Sequence, residues 1–249
     1  MRPAATARMT ATTFYKDKYI KEIFIMGIYQ IAIDGPSGSG KSTLAKGVAK
    51  ELGIMYLDTG AMYRTCAVAS IKRGINAKDP EAVKKMMEEI RIDVKFVDGV
   101  QHMILDGEDV TGELRTPQTS IAASDVSAHP VVRTAMVSLQ REIAKNQTFV
   151  LDGRDIASVV LPDAKYKFFV VCAPEVRAER RLAELEAAGD HSQTKEEVLR
   201  DIIYRDEQDS KRATSPLVQV PEAIVIDTGK YDIEGTKQFL LSHLDEADK

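Results

Sequence analysis

The chain is short of several things at once. It has only two cysteines in 249 residues, Cys66 and Cys172, each inside an apolar stretch. That argues against a disulfide framework and favours buried thiols in a reducing compartment, the cytoplasm. No run of about 18 apolar residues occurs, so no membrane span is expected. Positive charge is not in excess: 34 Lys and Arg stand against 38 Asp and Glu, a net charge of −4. Proteins that bind nucleic-acid polymers usually show a basic balance, so no such partner is expected, and any nucleotide must be held by local cations. The four histidines are scattered, and no His/Cys cluster with metal-ligand spacing is present. Internal repeats and low-complexity linkers are also absent. Residues 1–27 show no core pattern, and they lack the apolar stretch and cleavage site of a secretory signal. They are expected to be a flexible extension, with Met26 as an alternative start.

What is there suits a soluble globular protein: 44% hydrophobic and 29% charged residues. The length allows one α/β domain, 28–249, with an inserted subdomain. With no long apolar surface run, a monomer is expected.

One stretch organises the rest. Gly35-Pro36-Ser37-Gly38-Ser39-Gly40-Lys41-Ser42-Thr43 fits G-x-x-x-x-G-K-[ST], the phosphate-binding loop of nucleoside triphosphate enzymes. Gly35, Gly38 and Gly40 let backbone N–H groups converge on phosphate oxygens. Lys41 adds a cation for the β- and γ-phosphates of ATP, and Ser42 a hydroxyl for the Mg2+ that accompanies it. The context is right: residues 28–34 read as a buried strand, and Leu44, Ala45, Val48, Ala49 and Leu52 recur at helical spacing before Gly53.

Strands are then expected at 54–58, 148–152, 167–172 and 223–227, with helices at 61–73, around 83–90, across 119–145 with a break near His129-Pro130, at 175–188, 195–211 and 233–244. Near-continuous apolar strands alternating with helices imply a parallel sheet covered on both faces, with ligands at the carboxyl ends of the strands. The block 75–115 interrupts this alternation. Residues 92–97 and 101–105 flank Asp98-Gly99 as a hairpin, with a third short strand expected at 106–110.

A phosphate loop does not choose between a kinase, a GTP-dependent switch and a motor. The absence of an Asn-Lys-x-Asp guanine-reading sequence weakens the switch. Asp152 ends an apolar strand, where a magnesium-organising acid would stand, holding the ion directly or through water. Arg64, Arg133, Arg154, Arg205 and Arg212 fall near strand or helix ends. Guanidinium forks suit a reaction that brings two phosphates together. Arg205, Asp209 and Arg212 share a helix face, as in a mobile lid carrying cations.

Residues 33–41, Leu57-Asp58-Thr59-Gly60-Ala61-Met62-Tyr63-Arg64, Asp152-Gly153-Arg154-Asp155, and 205–217 together resemble bacterial cytidylate kinase in order and spacing. The resemblance runs over roughly residues 28–245. It implies a P-loop fold with an acceptor-binding region at about 59–147, containing the small antiparallel insert, and a lid at about 190–216. It implies transfer of the γ-phosphoryl group of ATP to CMP or dCMP. By motif, Arg64, Arg154 and Arg205 would grip the acceptor phosphate. Ser124, Arg133 and Asp155 would read the cytosine edge, and Tyr63 would line the pocket with Thr59 nearby. Asp209 would hold the sugar, and Arg212 would approach the transferring phosphate. Lys41, Arg154, Arg205 and Arg212 would be the catalytic cations. The bottom-up rivals are a kinase of the same fold acting on UMP, AMP or shikimate, and a nucleotide-binding switch without turnover.

Overall fold

The computed structural model describes residues 27–187 and 189–249, so the expectation for residues 1–26 lies outside the described residues. The order is β1 (Gln30–Asp34), α1 (Lys41–Leu52), β2 (Met55–Asp58), α2 (Thr59–Lys72), α3 (Pro80–Glu89), β3 (Ile92–Val97), β4 (Val100–Leu105) and β5 (Glu108–Asp109). Then come α4 (Pro117–Val126), α5 (Pro130–Ala144), β6 (Phe149–Gly153), β7 (Tyr166–Val171), α6 (Pro174–Ala187), α7 (Lys195–Lys211), β8 (Ile224–Asp227) and α8 (Ile233–Leu241).

Five strands form one parallel sheet in the order β2-β6-β1-β7-β8, and β3-β4-β5 form a separate antiparallel sheet. The alternation of side chains along a strand explains the continuous apolar runs. In β1, Ile31 and Ile33 pack with α1 and α8, whereas Ala32 faces the cluster that includes α2 and α5. In β6, Val150 faces the first side, and Phe149 and Leu151 the second. Burying each large aliphatic side chain contributes about 1.5–3 kcal/mol. Register aligns the strand ends: Asp34 pairs with Gly153, and Asp58 with Asp152. The three loops that follow therefore open on one edge of the sheet.

Both cysteines are free and buried, as expected. Among the described residues no helix is long and apolar enough to cross a membrane. Several expected boundaries move for local reasons. The helix expected from residue 61 begins at Thr59, because the Asp58 side chain accepts from the Ala61 N–H and caps it. Thr116 caps α4 in the same way, so that helix begins at Pro117. The third strand of the insert shrinks to two residues, and the final helix ends at Leu241, although Leu244 still reaches the core. Ile156–Val160, which had no assignment, forms a single π-helical turn.

Besides apolar contacts such as Phe96 against Phe149 of β6, a polar side chain ties the insert to the parallel sheet. The Gln101 amide accepts from the Asp58 N–H at 2.7 Å and donates to the Asp58 carbonyl at 3.2 Å. It thus pairs with the edge strand β2 as a neighbouring backbone would.

Candidate active site

The loop between β1 and α1 takes the shape its glycines permit. Gly38 and Gly40 have φ of 72° and 84°, in the left-handed region. At Gly35 a Cβ would sit 2.3 Å from the Val170 carbonyl oxygen, so only glycine brings the loop this close to β7. Lys41 Nζ donates to the Pro36 carbonyl at 2.9 Å, curling back along the loop. Burial, followed by the neighbouring Arg154, lowers its ammonium to about 7. Behind the loop, Thr228 Oγ1 donates to the Ser39 carbonyl at 2.9 Å and accepts from Arg180 at 3.2 Å.

Ser42 Oγ donates to Asp152 Oδ2 at 2.6 Å, and the Tyr56 hydroxyl donates to Asp152 Oδ1 at 2.8 Å. Burial, with the Asp58 carboxylate second, raises the Asp152 carboxyl above its usual range. A hydroxyl and a carboxylate beside a phosphate cradle form a hard oxygen donor set that fits a magnesium ion accompanying a nucleotide.

Facing the loop is a cavity of about 170 Å³. Ser37, Gly38, Lys41 and Ser42 reach it from the loop side. Gly35, Pro36, Ser39, Gly40 and Thr43 shape the loop but do not line this cavity. From the other side come Thr59, Tyr63 and Arg64 of α2, Ser124 of α4 and Arg133 of α5. Arg154 and Asp155 follow β6, and Arg205, Asp209 and Arg212 come from α7 and its end. The residues expected at the acceptor site and lid thus meet in one place.

Most of these cations are oriented by a carboxylate. Arg64 pairs with Asp58 at 2.8 Å, Arg154 with Asp209 at 2.7 Å, and Arg212 with Asp209 at 3.2 Å. Burial alone would raise the Asp209 carboxyl, but Arg154 and Arg212 outweigh it and hold it low. Arg133, 2% exposed, reaches Asp155 at 2.5 Å and lies 5.0 Å over the Tyr63 ring. Lys41 and Arg205 differ: among the described residues neither has a carboxylate within 4.0 Å. Burial and Arg154 lower the Arg205 guanidinium to about 10. Thr59 is buried, and its hydroxyl donates to the Asp152 carbonyl at 2.7 Å. Its first hydrogen bond therefore holds the strand end.

Three acidic positions were missed at the sequence level. Asp58 orients Arg64 and also touches the exposed Arg115 at 3.3 Å. Its place at a strand end, like that of Asp152, was the available signal. Asp34 accepts from the Ile156 and Ala157 N–H groups at 2.9 and 2.8 Å and so fixes the loop carrying Asp155. Burial raises its carboxyl to about 7. Asp206 pairs with Arg177, both hidden in charged helices that read as solvated.

A backbone cradle and an arginine-lined pocket that open on the same cavity define a P-loop phosphotransferase. The cytidylate kinase family model matches residues 31–244. A cytidylate kinase of Clostridioides difficile (strain 630) is 45% identical over 219 residues, covering 88% of this chain and 99% of that protein. One from Limosilactobacillus reuteri (strain DSM 20016) is 44% identical over 205 residues, covering 82% and 90%. One from Symbiobacterium thermophilum is 42% identical over 214 residues, covering 86% and 94%. A solved shikimate kinase from Acinetobacter baumannii aligns over 89% of this chain and 95% of its own, at a TM-score of 0.40 and 16% identity. That likeness is too loose to carry an argument about the site. The chain belongs to the cytidylate kinase family.

Proposed function

We propose a residue-level account of how this chain transfers the γ-phosphoryl group of ATP to CMP or dCMP, the reaction of its family. The observation that carries it is the pair Lys41 and Arg205, two cations with no carboxylate partner among the described residues, which line one cavity from its two sides. The phosphate loop and Lys41 hold the ATP phosphates. Arg64, Arg154 and Arg205 grip the acceptor phosphate. Ser124, Arg133 and Asp155 read the cytosine edge: a carboxylate accepts from its amino group, while a guanidinium and a hydroxyl donate to its ring acceptors. Tyr63 lines this pocket, Asp209 holds the sugar, and Arg212 approaches the transferring phosphate.

The acceptor is already an anionic oxygen, so no strong general base is needed. Catalysis is alignment plus charge neutralisation, with no covalent enzyme intermediate. Ser42 and Asp152 would hold the magnesium ion, whose contribution is neutralisation of phosphate charge. Residues 59–147 act as the acceptor-binding region and 190–216 as the lid. The enzyme is taken to act as a monomer, and the two free, buried thiols support a cytoplasmic setting.

A coupled assay for ADP release across CMP, dCMP, UMP, AMP and shikimate tests the reading. Turnover should favour CMP and dCMP. Equal turnover with AMP, or none with any acceptor, would overturn it.

A further inference from the structure

Arg177 occupies the first turn of α6 with its side chain 2% exposed. Four of its donor contacts are spent inside the protein. Nε donates to the Cys172 carbonyl just past β7 at 2.9 Å. Nη1 donates to the Ser37 carbonyl, at the tip of the phosphate loop, at 3.0 Å. Nη1 and Nη2 form a fork with Asp206 on α7, at 3.0 and 2.5 Å. The arginine stem also packs beside Gly38, where a Cβ would lie 3.5 Å from Arg177 Cβ. One guanidinium therefore joins the end of a sheet strand, the donor loop and the lid helix.

Asp206 lies next to Arg205 in the chain and one helical turn before Asp209, which orients Arg154 and Arg212. The apolar seam between α7 and α6 is small among the described residues: Ala178, Leu185, Val198 and Ile202 are buried in it, and Leu182 and Leu199 pack partly buried against them. Such a small cluster sets the helices together but leaves their sliding and rotation loosely fixed. The exposed Lys195–Glu179 pair at 2.6 Å also joins the two helices, but as a solvated point contact; the planar bidentate fork adds a buried directional constraint.

We infer that Arg177 and Asp206 are positioning residues that set the separation between the donor cradle and the acceptor-gripping cations of α7. Neither lines the cavity in which the phosphates meet. Their effect passes through Ser37 on one side and Arg205 and Asp209 on the other. Lysine at 177 would keep the charge but lose the fork and the contact with Ser37. The inference rests on the reading of Arg205 as an acceptor-phosphate ligand.

The full-length chain is assayed as Asp206→Asn, Arg177→Lys, the double variant, and Arg205→Ala. Misalignment of about an ångström can lower turnover by orders of magnitude, so each single change at the fork should lower kcat about fivefold or more. KM for ATP should stay within about threefold of the parent. The double variant should lose no more than about threefold beyond the worse single, because both changes break one contact. Smaller losses of kcat, or losses that multiply in the double variant, overturn the inference. So does a lowered thermal midpoint with kcat of the folded fraction unchanged, the signature of a merely structural pair. If Arg177→Lys fails to fold, the kcat of Asp206→Asn decides alone, since Asp206 is only partly buried. Arg205→Ala separately tests the acceptor reading: an unchanged KM for CMP would remove that reading and leave the fork result interpretable by itself.

Discussion

ATP binding should draw a proton from solvent, and Lys41 should receive it. Burial and then Arg154 lower the Lys41 ammonium to about 7, against the pull of Asp152 and Asp209. At about pH 8, one unit higher, only roughly one chain in ten carries the charged form. A triphosphate in the cradle places several negative charges against Nζ, and nearby opposite charge favours the protonated lysine. Binding should then take up about 0.9 proton per ATP. By linkage, affinity for ATP should fall about eightfold for each pH unit above about 8. Titration calorimetry in buffers of different ionisation enthalpy reads the uptake as the slope of observed heat against buffer enthalpy. A slope below about 0.3 in the parent protein, or an undiminished slope in Lys41→Met, would refute the reasoning. The same shift has a stability consequence with a definite sign. Between about 7 and the ordinary 10.5, the unfolded chain binds more protons at this site than the folded chain. The nucleotide-free protein should therefore gain stability as pH rises through that window, by at most about 1.4 kcal/mol per unit from this group.

Gly153→Ala would place a Cβ 2.6 Å from Ile156 Cδ1 and 2.8 Å from Thr59 Oγ1. Overpacking there should cost about 1–3 kcal/mol in denaturant unfolding, with the acceptor loop displaced. Asp155→Ala leaves the Arg133 guanidinium buried and unpaired, which should cost about 3–5 kcal/mol of stability. Steady-state kinetics should show KM for CMP rising far more than KM for ATP, and equal rises would count against the assignment. Gln101→Ala removes two hydrogen bonds to Asp58, a loss of about 1 kcal/mol for each. It should raise KM for CMP several-fold through the loosened Arg64, while KM for ATP stays put. Hydrogen exchange across residues 195–215 should slow when both nucleotides bind, and unchanged rates would contradict a closing lid.

The sheet and the cradle were legible because their determinants are local. The run Gln30–Asp34 can be buried on both faces only if helices cover both, and the glycine spacing of the loop has few other uses. The meeting of Arg64, Arg154, Arg205 and Arg212 was also legible, through their places at element ends and the motif order that the family shares. What stayed hidden is pairing across the chain. Asp34 grips backbone 122 and 123 residues away, and nothing in Ile33-Asp34-Gly35 announces those partners. Arg177 lies in Pro174–Ala187, a helix so rich in charge that its one internal guanidinium looks like its solvated neighbours. The π-helical turn at Ile156–Val160 has the composition of a strand, and it is the two N–H groups held by Asp34 that turn it aside.

The contact between Thr228 and Ser39 spans 189 positions. During synthesis the glycine loop leaves the ribosome long before the hydroxyl that braces it is made. Gln30 must likewise wait for Phe149 before its strand has a neighbour on that side. Closing such long loops comes before any gain from the pairing they allow. The nascent chain therefore carries its nucleotide motif through 189 further positions without the means to use it, and competence for ATP should arrive all at once when Thr228 is in place.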